Sequence, residues 1–277
     1  IKFFGIANMY LTHQANQIVV PKFDSKSKKF RTIFISDLHL GTPGCKIDYL
    51  VNFIKSHECE YLYLVGDIID GWQLKKKFFW NQYHNDFIQK VLRKARKGTK
   101  VTYVIGNHDE VLRKLDNLEF GNISLVKEAV HTTLKRKKIW VIHGDQFDGV
   151  IKYAKWIAIF GDLLYSFLLK INNWFNAIRR TFGLSYWSIS QLIKGKVKTA
   201  VSFIDDFEKT VTKEAKKRGF QGVLCGHIHK AEIKKIDGID YFNDGDWVES
   251  LSAIVEDYEG NMKIVSFESQ LNTKQEL

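Results

Sequence analysis

The run Thr32-Ile33-Phe34-Ile35-Ser36-Asp37-Leu38-His39-Leu40-Gly41 decides how this chain is interpreted. Its first four residues are the β-branched and aromatic types that fill a buried strand. Polar residues follow at once, and Asp37 and His39 are two positions apart. Because alternate residues of an extended chain share a face, both side chains can point to the same place. The run therefore predicts a buried strand that ends in a functional site.

Four more strand-like runs end in the same kind of polar cluster. These mainly apolar runs are Tyr61–Val65, Val101–Ile105, Ile139–Ile142 and Gly222–Cys225. The clusters are Gly66-Asp67-Ile68-Ile69-Asp70, Gly106-Asn107-His108-Asp109-Glu110, His143-Gly144-Asp145 and Gly226-His227-Ile228-His229. Loops at the carboxyl ends of strands converge in open α/β sheets. Glycine allows close backbone approach there, so we expect the clusters to meet.

The spacing of apolar residues predicts the organisation around these strands. Amphipathic helical stretches over about 46–57 and 80–97, and a short one near 110–118, alternate with the strands and favour an α/β fold with a buried sheet. After about 228, short strands and tight turns are expected. We expect a poorly specified leader over 1–29, a core over 30–149 and 219–270, a helical insert over 150–218 that forms a lid or cap, and a tail over 271–277. A second helix of the insert is expected at about 190–218.

Composition excludes several classes of protein. The 277 residues are 45% hydrophobic and 26% charged, which excludes intrinsic disorder. Three cysteines without a CxxC pair argue against a disulfide framework and favour a reducing compartment. The most apolar window, Ile157 to Ile171, is interrupted by charged residues and is shorter than a spanning helix needs. The net charge of +11 would attract nucleic acid, an anionic lipid surface or a phosphorylated small molecule.

The residue types in the five clusters point to a divalent metal site. Carboxylate, imidazole and amide oxygen together suit Mn, Fe, Co or Zn. The clusters contain enough ligands for two ions with one carboxylate shared between them. Two ions about 3.5–4 Å apart are an arrangement used for phosphoester hydrolysis.

The blocks DLHLG, GDIID, GNHDE, HGD and GHIH resemble, in order, the motifs of the calcineurin-like metallophosphoesterases. The stretches SDLHLG, YLVGDIIDGW and HGDQFD, with a helical insert before GHIH, are most similar to the UDP-2,3-diacylglucosamine hydrolase branch over about 31–268. The resemblance implies an α/β (α+β) four-layer sandwich, in which two mixed β-sheets lie between helices and the helical insert forms a cap.

The same resemblance implies roles for individual residues. Seven would be metal ligands: Asp37, His39, Asp67, Asn107, His143, His227 and His229. Asp67 would be shared between the two metals. His108 would be catalytic, steadying the phosphate and protonating the leaving group, whereas the well-studied lipid A enzymes of the branch have arginine there. Asp70 and Asp109 would orient ligands, and Asp145 is either a similar supporting residue or an ordinary turn residue.

The implied activity is hydrolysis of a phosphoester or pyrophosphate bond by two divalent ions, with Mn favoured over Fe, Zn or Co. The implied substrate is UDP-2,3-diacylglucosamine, cleaved to UMP and a lipid X-type monophosphate in lipid A biosynthesis. The protein would be cytoplasmic and peripheral to an anionic inner-membrane surface. Two alternatives stay open. One is a nucleotide or nucleic-acid phosphodiesterase, motivated by the +11 charge, and the other is a non-catalytic metal-binding scaffold.

Other residues have a functional and a plain interpretation. Five residues of the insert are candidate substrate contacts, or simply packing and surface residues of a helical hairpin: Trp156, Phe160, Lys170, Arg179 and Arg180. The run Asn243-Asp244-Gly245-Asp246 predicts a turn, with a position near the site as the alternative. We interpret His13, His57, His84 and His131 as packing or surface histidines.

Overall fold

The computed structural model describes residues 28–147 and 190–266, with side chains described to residue 147 and again from residue 204. Its helices are α1 (Ile47–Ser56), α2 (Gly71–Lys76), α3 (Gln82–Arg96) and α4 (Ser190–Lys217). Short 3-10 helices cover Glu110–Leu115 and Asp145–Phe147. The strands are β1 (Lys28–Ile35), β2 (His57–Val65), β3 (Lys100–Val104), β4 (Leu118–Phe120), β5 (Ile123–Val126), β6 (Glu128–Thr132), β7 (Lys138–Ile142), β8 (Gly222–Cys225), β9 (Glu232–Ile236), β10 (Ile239–Asn243), β11 (Ser252–Glu256) and β12 (Met262–Ser266).

The strands form two mixed sheets. The seven-stranded sheet has the order β12-β11-β1-β2-β3-β5-β4, and the five-stranded sheet has the order β6-β7-β8-β10-β9. Strands β1, β2, β3 and β5 run parallel in the first sheet, and β7, β8 and β10 run parallel in the second. All five strands predicted from the sequence are present, and each parallel group sends its carboxyl ends to one edge of its sheet.

Alternation along single strands explains the layers. In β1, Ile33 and Ile35 pack into a core with residues of α1 and α3, whereas Phe34 packs into a core between the two sheets. In β8, Val223 packs under α4 and Leu224 packs between the sheets. Successive strand residues point to opposite faces, so a strand that is apolar throughout must be covered on both sides. The result is helix, sheet, sheet, helix, which confirms the expected four layers.

Helix α4 covers the outer face of the five-stranded sheet. Its residues Phe207, Val211 and Ala215 are fully buried in the same apolar cluster as Trp140 and Tyr241. This part of the predicted insert is therefore an outer layer of the sandwich, because its apolar stripe needs a sheet face to cover it. The predicted lid over 150–189 lies outside the described residues, as do the leader up to residue 27 and the tail after residue 266.

Three of the four histidines interpreted as packing or surface residues are buried away from the strand-end clusters, and His13 lies outside the described residues. His57 stacks on Phe53 with ring centroids 4.3 Å apart. His84 closes a capping box with Asn81 at the start of α3. His131 lies between the sheets, 2% exposed. Within the described ranges, no helix combines the length and apolar character that crossing a bilayer requires.

Candidate metal centre

The candidate site lies where strand ends of both sheets meet. The amide of Asp37 donates to the carbonyl of Gly66 at 3.1 Å, which ties the end of β1 to the end of β2. Nδ1 of His143, at the end of β7 in the other sheet, is 3.0 Å from the carbonyl oxygen of Val65. The amide of Gly226, after β8, donates to the carbonyl of His143 at 3.2 Å. Hydrogen bonds thus bring the loops of the two sheets together, as expected.

Acidic and histidine side chains form three overlapping groups, and the ligand atoms of each group lie within 4.8 Å of one another. The groups are Asp37–His39–His229, His39–Asp67–His108 and Asp67–His143–His227. His39 belongs to the first two groups, and Asp67 belongs to the last two. The overlap makes one continuous cluster, which contains six of the seven candidate ligands and the candidate catalytic histidine.

The distances show how the carboxylates connect the cluster. Nε2 of His229 is 3.0 Å from Oδ1 of Asp37, and Nε2 of His143 is 3.3 Å from Oδ1 of Asp67. Nε2 of His39 lies 3.8 Å from Asp37 and 3.9 Å from Asp67, so this ring faces both carboxylates. Two carboxylates with imidazoles on either side can hold two cations close together.

The seventh candidate, Asn107, contributes an unsatisfied oxygen. Its Oδ1 atom is buried and accepts no hydrogen bond from the residues that the structure describes. A buried acceptor without a partner costs about 1–3 kcal/mol, so such atoms call for a bound cation or donor. Amide oxygen, carboxylate and imidazole form a donor set that suits borderline divalent ions. The residues present therefore fit two such ions.

Electrostatics keep the two central carboxylates charged. Burial opposes the charged form of Asp37, but the facing His229, His143 and His39 hold its pKa well below the usual range. Burial likewise opposes ionisation of Asp67, but the charge and hydrogen bond of His143 lower its pKa to about 2. For His143, burial acts to lower the pKa, and the charge of Asp67 outweighs it and raises the pKa to about 10. At neutral pH the cluster therefore presents anionic oxygens to a cation.

The backbone of the cluster is strained. Five candidate ligands adopt the left-handed conformation, with positive φ angles: Asp37 (51°), His39 (48°), Asp67 (52°), His227 (68°) and His229 (54°). Non-glycine residues rarely do so, at a cost of about 1–3 kcal/mol each, and such strain concentrates at functional sites. Here it turns the chain sharply after β1, β2 and β8 and aims their polar side chains into the cluster.

Glycines leave room for ligands from neighbouring strands. A Cβ atom on Gly66 would lie 2.4 Å from the ring of His143, and one on Gly226 would lie 2.4 Å from Oδ2 of Asp37. Both contacts are closer than atoms can approach, so no side chain fits at either position. This confirms the expectation that glycines permit close approach at the site.

Asp70 connects two histidines to a helix. Its Oδ2 atom is 3.0 Å from Nδ1 of His108 and 3.3 Å from Nδ1 of His39. Its Oδ1 atom accepts from the amide of Gln73 at 2.8 Å and so caps α2. Burial acts to raise its pKa, but the hydrogen bonds with His108 and His39 hold it well below the usual range. Asp70 thus orients both rings, as an anchored anion does.

Asp109 holds the loop that carries Asp67. Its carboxylate accepts from the amides of Ile68 at 3.0 Å and Ile69 at 2.7 Å, and from the hydroxyl of Tyr103 at 2.9 Å. Burial raises the pKa of Asp109 to about 6. Its role is to fix the backbone conformation directly after Asp67.

Asp145 begins a short 3-10 helix two residues after His143 and forms an ion pair with Arg113. Its charge also contributes to the raised pKa of His143. Asp145 is therefore a turn residue whose charge also acts on a histidine of the cluster.

Three further residues support the cluster: Ser36, which had no site role in the sequence analysis, and Asp244 and Asp246 of the turn for which a position near the site was the alternative. Ser36 Oγ lies 2.6 Å from Oδ2 of Asp37 and 2.7 Å from Oδ1 of Asp244, so one hydroxyl bridges two buried carboxylates. Asp246 Oδ2 is 3.7 Å from Nδ1 of His229. Burial raises the pKa of Asp244 well above its usual value. The acidic turn after Asn243 was the sequence signal for Asp244 and Asp246. Because β10 pairs in parallel with β8, this turn lies beside the loop that carries His227 and His229.

The five candidate substrate contacts of the insert lie outside the described residues: Trp156, Phe160, Lys170, Arg179 and Arg180.

The chain is similar in sequence or fold to several known proteins. A UDP-2,3-diacylglucosamine hydrolase of Psychromonas ingrahamii is 25% identical over 234 residues, which cover 81% of this chain and 92% of that protein. A UDP-2,3-diacylglucosamine hydrolase of Salmonella dublin is 24% identical over 223 residues, which cover 76% of this chain and 86% of that protein. The solved structure of an archaeal phosphodiesterase aligns with 84% of this chain and 98% of its own chain. The sequence identity is 13%, and the TM-score is 0.39.

A family model described as calcineurin-like phosphoesterase matches residues 30–231. That range contains all five strand-end clusters and most of the chain. Members of this family are metal-dependent hydrolases with a dinuclear site, and the described residues contain matching clusters of aspartate and histidine. The chain belongs to the calcineurin-like phosphoesterase family.

Proposed function

We propose that this protein hydrolyses UDP-2,3-diacylglucosamine at its pyrophosphate bond and releases UMP and a lipid X-type monophosphate. The observation that carries the hydrolytic part is the continuous cluster in which His39 and Asp67 link two sets of ligand atoms. The substrate part draws on the names of the relatives, which are 24–25% identical over about four fifths of the chain.

The proposed ligands divide between two ions. Asp37, His39 and His229 would hold the first ion, Asn107, His143 and His227 would hold the second, and Asp67 would be shared. Two of the three ligand groups match this division, and the partnerless oxygen of Asn107 supports its place in the second set. We propose Mn as the ion, with Fe, Zn or Co as alternatives, because all four accept this donor set.

Two divalent ions, when bound, supply a water of lowered pKa and neutralise the charge that develops on the phosphoryl oxygens. His108 is the residue placed to move a proton. Its Nδ1 lies 3.0 Å from Oδ2 of Asp70, which leaves Nε2 to protonate the leaving-group oxygen. Nε2 lies 3.8 Å from Oδ2 of Asp67 and so faces the shared carboxylate. The side chain is 14% exposed, so a substrate can reach it while most of the ring is shielded from water.

We propose that the protein acts in lipid A biosynthesis as a cytoplasmic protein peripheral to the inner membrane. An anionic lipid surface and a lipidated nucleotide sugar are both compatible with the net charge of +11. The insert residues Trp156, Phe160, Lys170, Arg179 and Arg180 are the proposed substrate contacts. Nucleic acid is the less favoured partner.

The test measures release of UMP from UDP-2,3-diacylglucosamine by the Mn-loaded protein, with UDP-N-acetylglucosamine and single-stranded DNA as competing substrates. Rapid cleavage of the acylated sugar alone supports the proposal. Preference for DNA, with affinity that falls steeply with salt, would instead favour the nucleic-acid phosphodiesterase. Asp67→Ala is the control for contaminating activity, and full turnover without bound metal would refute the mechanism.

Vesicles of phosphatidylglycerol test the membrane part separately. We expect the full chain to sediment with them at low salt and to be released by high salt. Equal binding to neutral vesicles, or none to either kind, would contradict a peripheral electrostatic contact.

A further inference from the structure

We propose that Trp72 and Glu110 are positioning residues that hold the imidazole of His108 at the angle needed for proton transfer. The inference rests on the proposed role of His108 and adds two residues to which no comparison assigns a role.

The ring of His108 is enclosed from several directions. On one side lies the indole of Trp72. The centroids of the two rings are 4.3 Å apart, and their planes are inclined by 36°. On another side the ring of His39 meets it edge-on, 4.6 Å away at 88°. Asp70 engages Nδ1 at 3.0 Å. Two aromatic contacts and one ion pair therefore restrict both torsions of the side chain, which leaves Nε2 facing Asp67.

The indole is itself fixed in place. Nε1 of Trp72 donates to Oε1 of Glu110 at 3.2 Å. Trp72 follows Asp70 by two residues, and Glu110 follows His108 by two, so the hydrogen bond joins the loops after β2 and β3. A backbone bond from Gly71 to the carbonyl of His108, at 3.2 Å, joins the same loops. The indole hydrogen bond thus adds to the hydrogen bonds that already join the loop of the proposed acid to the loop of its carboxylate partner.

Trp72 does not serve the apolar core. It is 40% exposed, and helix α2, which carries it, has no buried residue. A large aromatic residue on the surface of a six-residue helix is best accounted for by its contact with His108. Burying one ring face against an imidazole limits its rotation at little entropic cost, because tryptophan has only two side-chain torsions.

This arrangement has a kinetic consequence that depends on the leaving group. Proton donation matters when the leaving oxygen is strongly basic and matters little when it is a good leaving group. If Trp72 orients the acid, its loss must slow the cleavage of poor leaving groups selectively. Loss of one positioning contact can cost up to about a hundredfold in rate.

The experiment compares two aryl phosphodiesters that differ only in leaving group, phenol or p-nitrophenol. For Trp72→Ala we expect kcat to fall 10- to 100-fold on the phenyl ester, less than threefold on the nitrophenyl ester, with KM unchanged on both. Glu110→Ala should show the same pattern more weakly, and Trp72→Phe should restore most of the rate because the ring face remains. Phe78→Ala, 75% exposed just after α2, is the matched control and should change neither ester.

A double-variant comparison separates positioning from other roles. In a His108→Ala background, Trp72→Ala should add nothing, since the group that it orients is gone. An additive loss, an equal loss on both esters or a raised KM would overturn the inference and make Trp72 a structural or substrate-binding residue. If Trp72→Ala fails to fold, Glu110→Ala carries the same comparison. Unchanged turnover in His108→Ala would instead refute the proposed role of His108 itself.

Discussion

Gly106 and Asp67 touch across the ends of two neighbouring strands. A Cβ atom on Gly106 would lie 2.3 Å from Oδ1 of Asp67 and 2.4 Å from its backbone nitrogen. The same Oδ1 accepts a hydrogen bond from the amide of His108 at 2.8 Å. Because Gly106 has no side chain, there is room beside it for the carboxylate of Asp67, which joins the two halves of the site.

Gly106→Ala should displace Asp67 and damage the metal centre. We expect turnover to fall by about a hundredfold or more, because metal charge stabilisation is worth several kcal/mol. Bound metal, measured by elemental analysis, should fall below two ions per chain. Gly44→Ala is the control, since its new Cβ would make an ordinary 3.5 Å contact with Val248. Equal metal content and turnover in the two variants would show that the cluster tolerates the shift.

Asp67→Asn removes the shared charge without changing the size of the side chain. We expect metal content to fall from two ions to one or fewer, because the amide cannot bridge two cations as a carboxylate does. Treatment of the wild type with a chelator should abolish turnover, and Mn²⁺ should restore it. Asp86→Asn, on the exposed face of α3, should behave as the wild type. Two ions per chain in Asp67→Asn would exclude Asp67 as the shared ligand.

Ser36→Ala tests the hydroxyl between two buried carboxylates. Without it, Asp37 and Asp244 lose the hydroxyl that lies between them, and Asp37 is held less firmly. Loss of such a supporting contact costs about 10- to 100-fold in metal affinity. Titration of turnover with Mn²⁺ should therefore need more metal, while the turnover at saturation recovers. Ser56→Ala, at the end of α1, should not shift the titration, and an equal shift in both would point to a general loss of stability.

Glu256→Gln tests a buried network away from the metal centre. Burial acts to raise the pKa of Glu256, but hydrogen bonds from His131, the amide of Leu134 and Arg31 lower it from 4.5 to about 2. A folded-state pKa below the unfolded value gives stability that is present above about pH 4.5 and is lost as the pH falls toward 2. The shift corresponds to roughly 3 kcal/mol.

We therefore expect Glu256→Gln to lower the free energy of unfolding by roughly 3 kcal/mol at pH 7, measured by urea titration. The difference from the wild type should shrink between pH 4.5 and pH 3. Glu259→Gln, at an exposed position in the turn between β11 and β12, should have little effect on the free energy of unfolding at any pH. A difference that stays constant down to pH 3 would show that the charge of Glu256 is not its cause.

Local patterns in the sequence were sufficient for much of the fold. The apolar run before Ser36 predicted the buried part of β1, and the spacing of apolar residues over about 190–218 predicted α4. Such patterns are local because strand and helix periodicities follow from backbone geometry alone. The position of α4 over the five-stranded sheet did not follow, since an apolar stripe does not say which surface will cover it.

The candidate site divides in the same way. Its residue types and their order along the chain were determined by the sequence, since Asp37 and His39, or His227 and His229, are close in any extended segment. Only the tertiary structure decided that Ser36 bridges to Asp244, 208 residues away, and that Trp72 lies against His108. Contacts between distant segments depend on how the two sheets pack and on which strands are neighbours. That packing is a property of the whole chain, so no single stretch of sequence contains it.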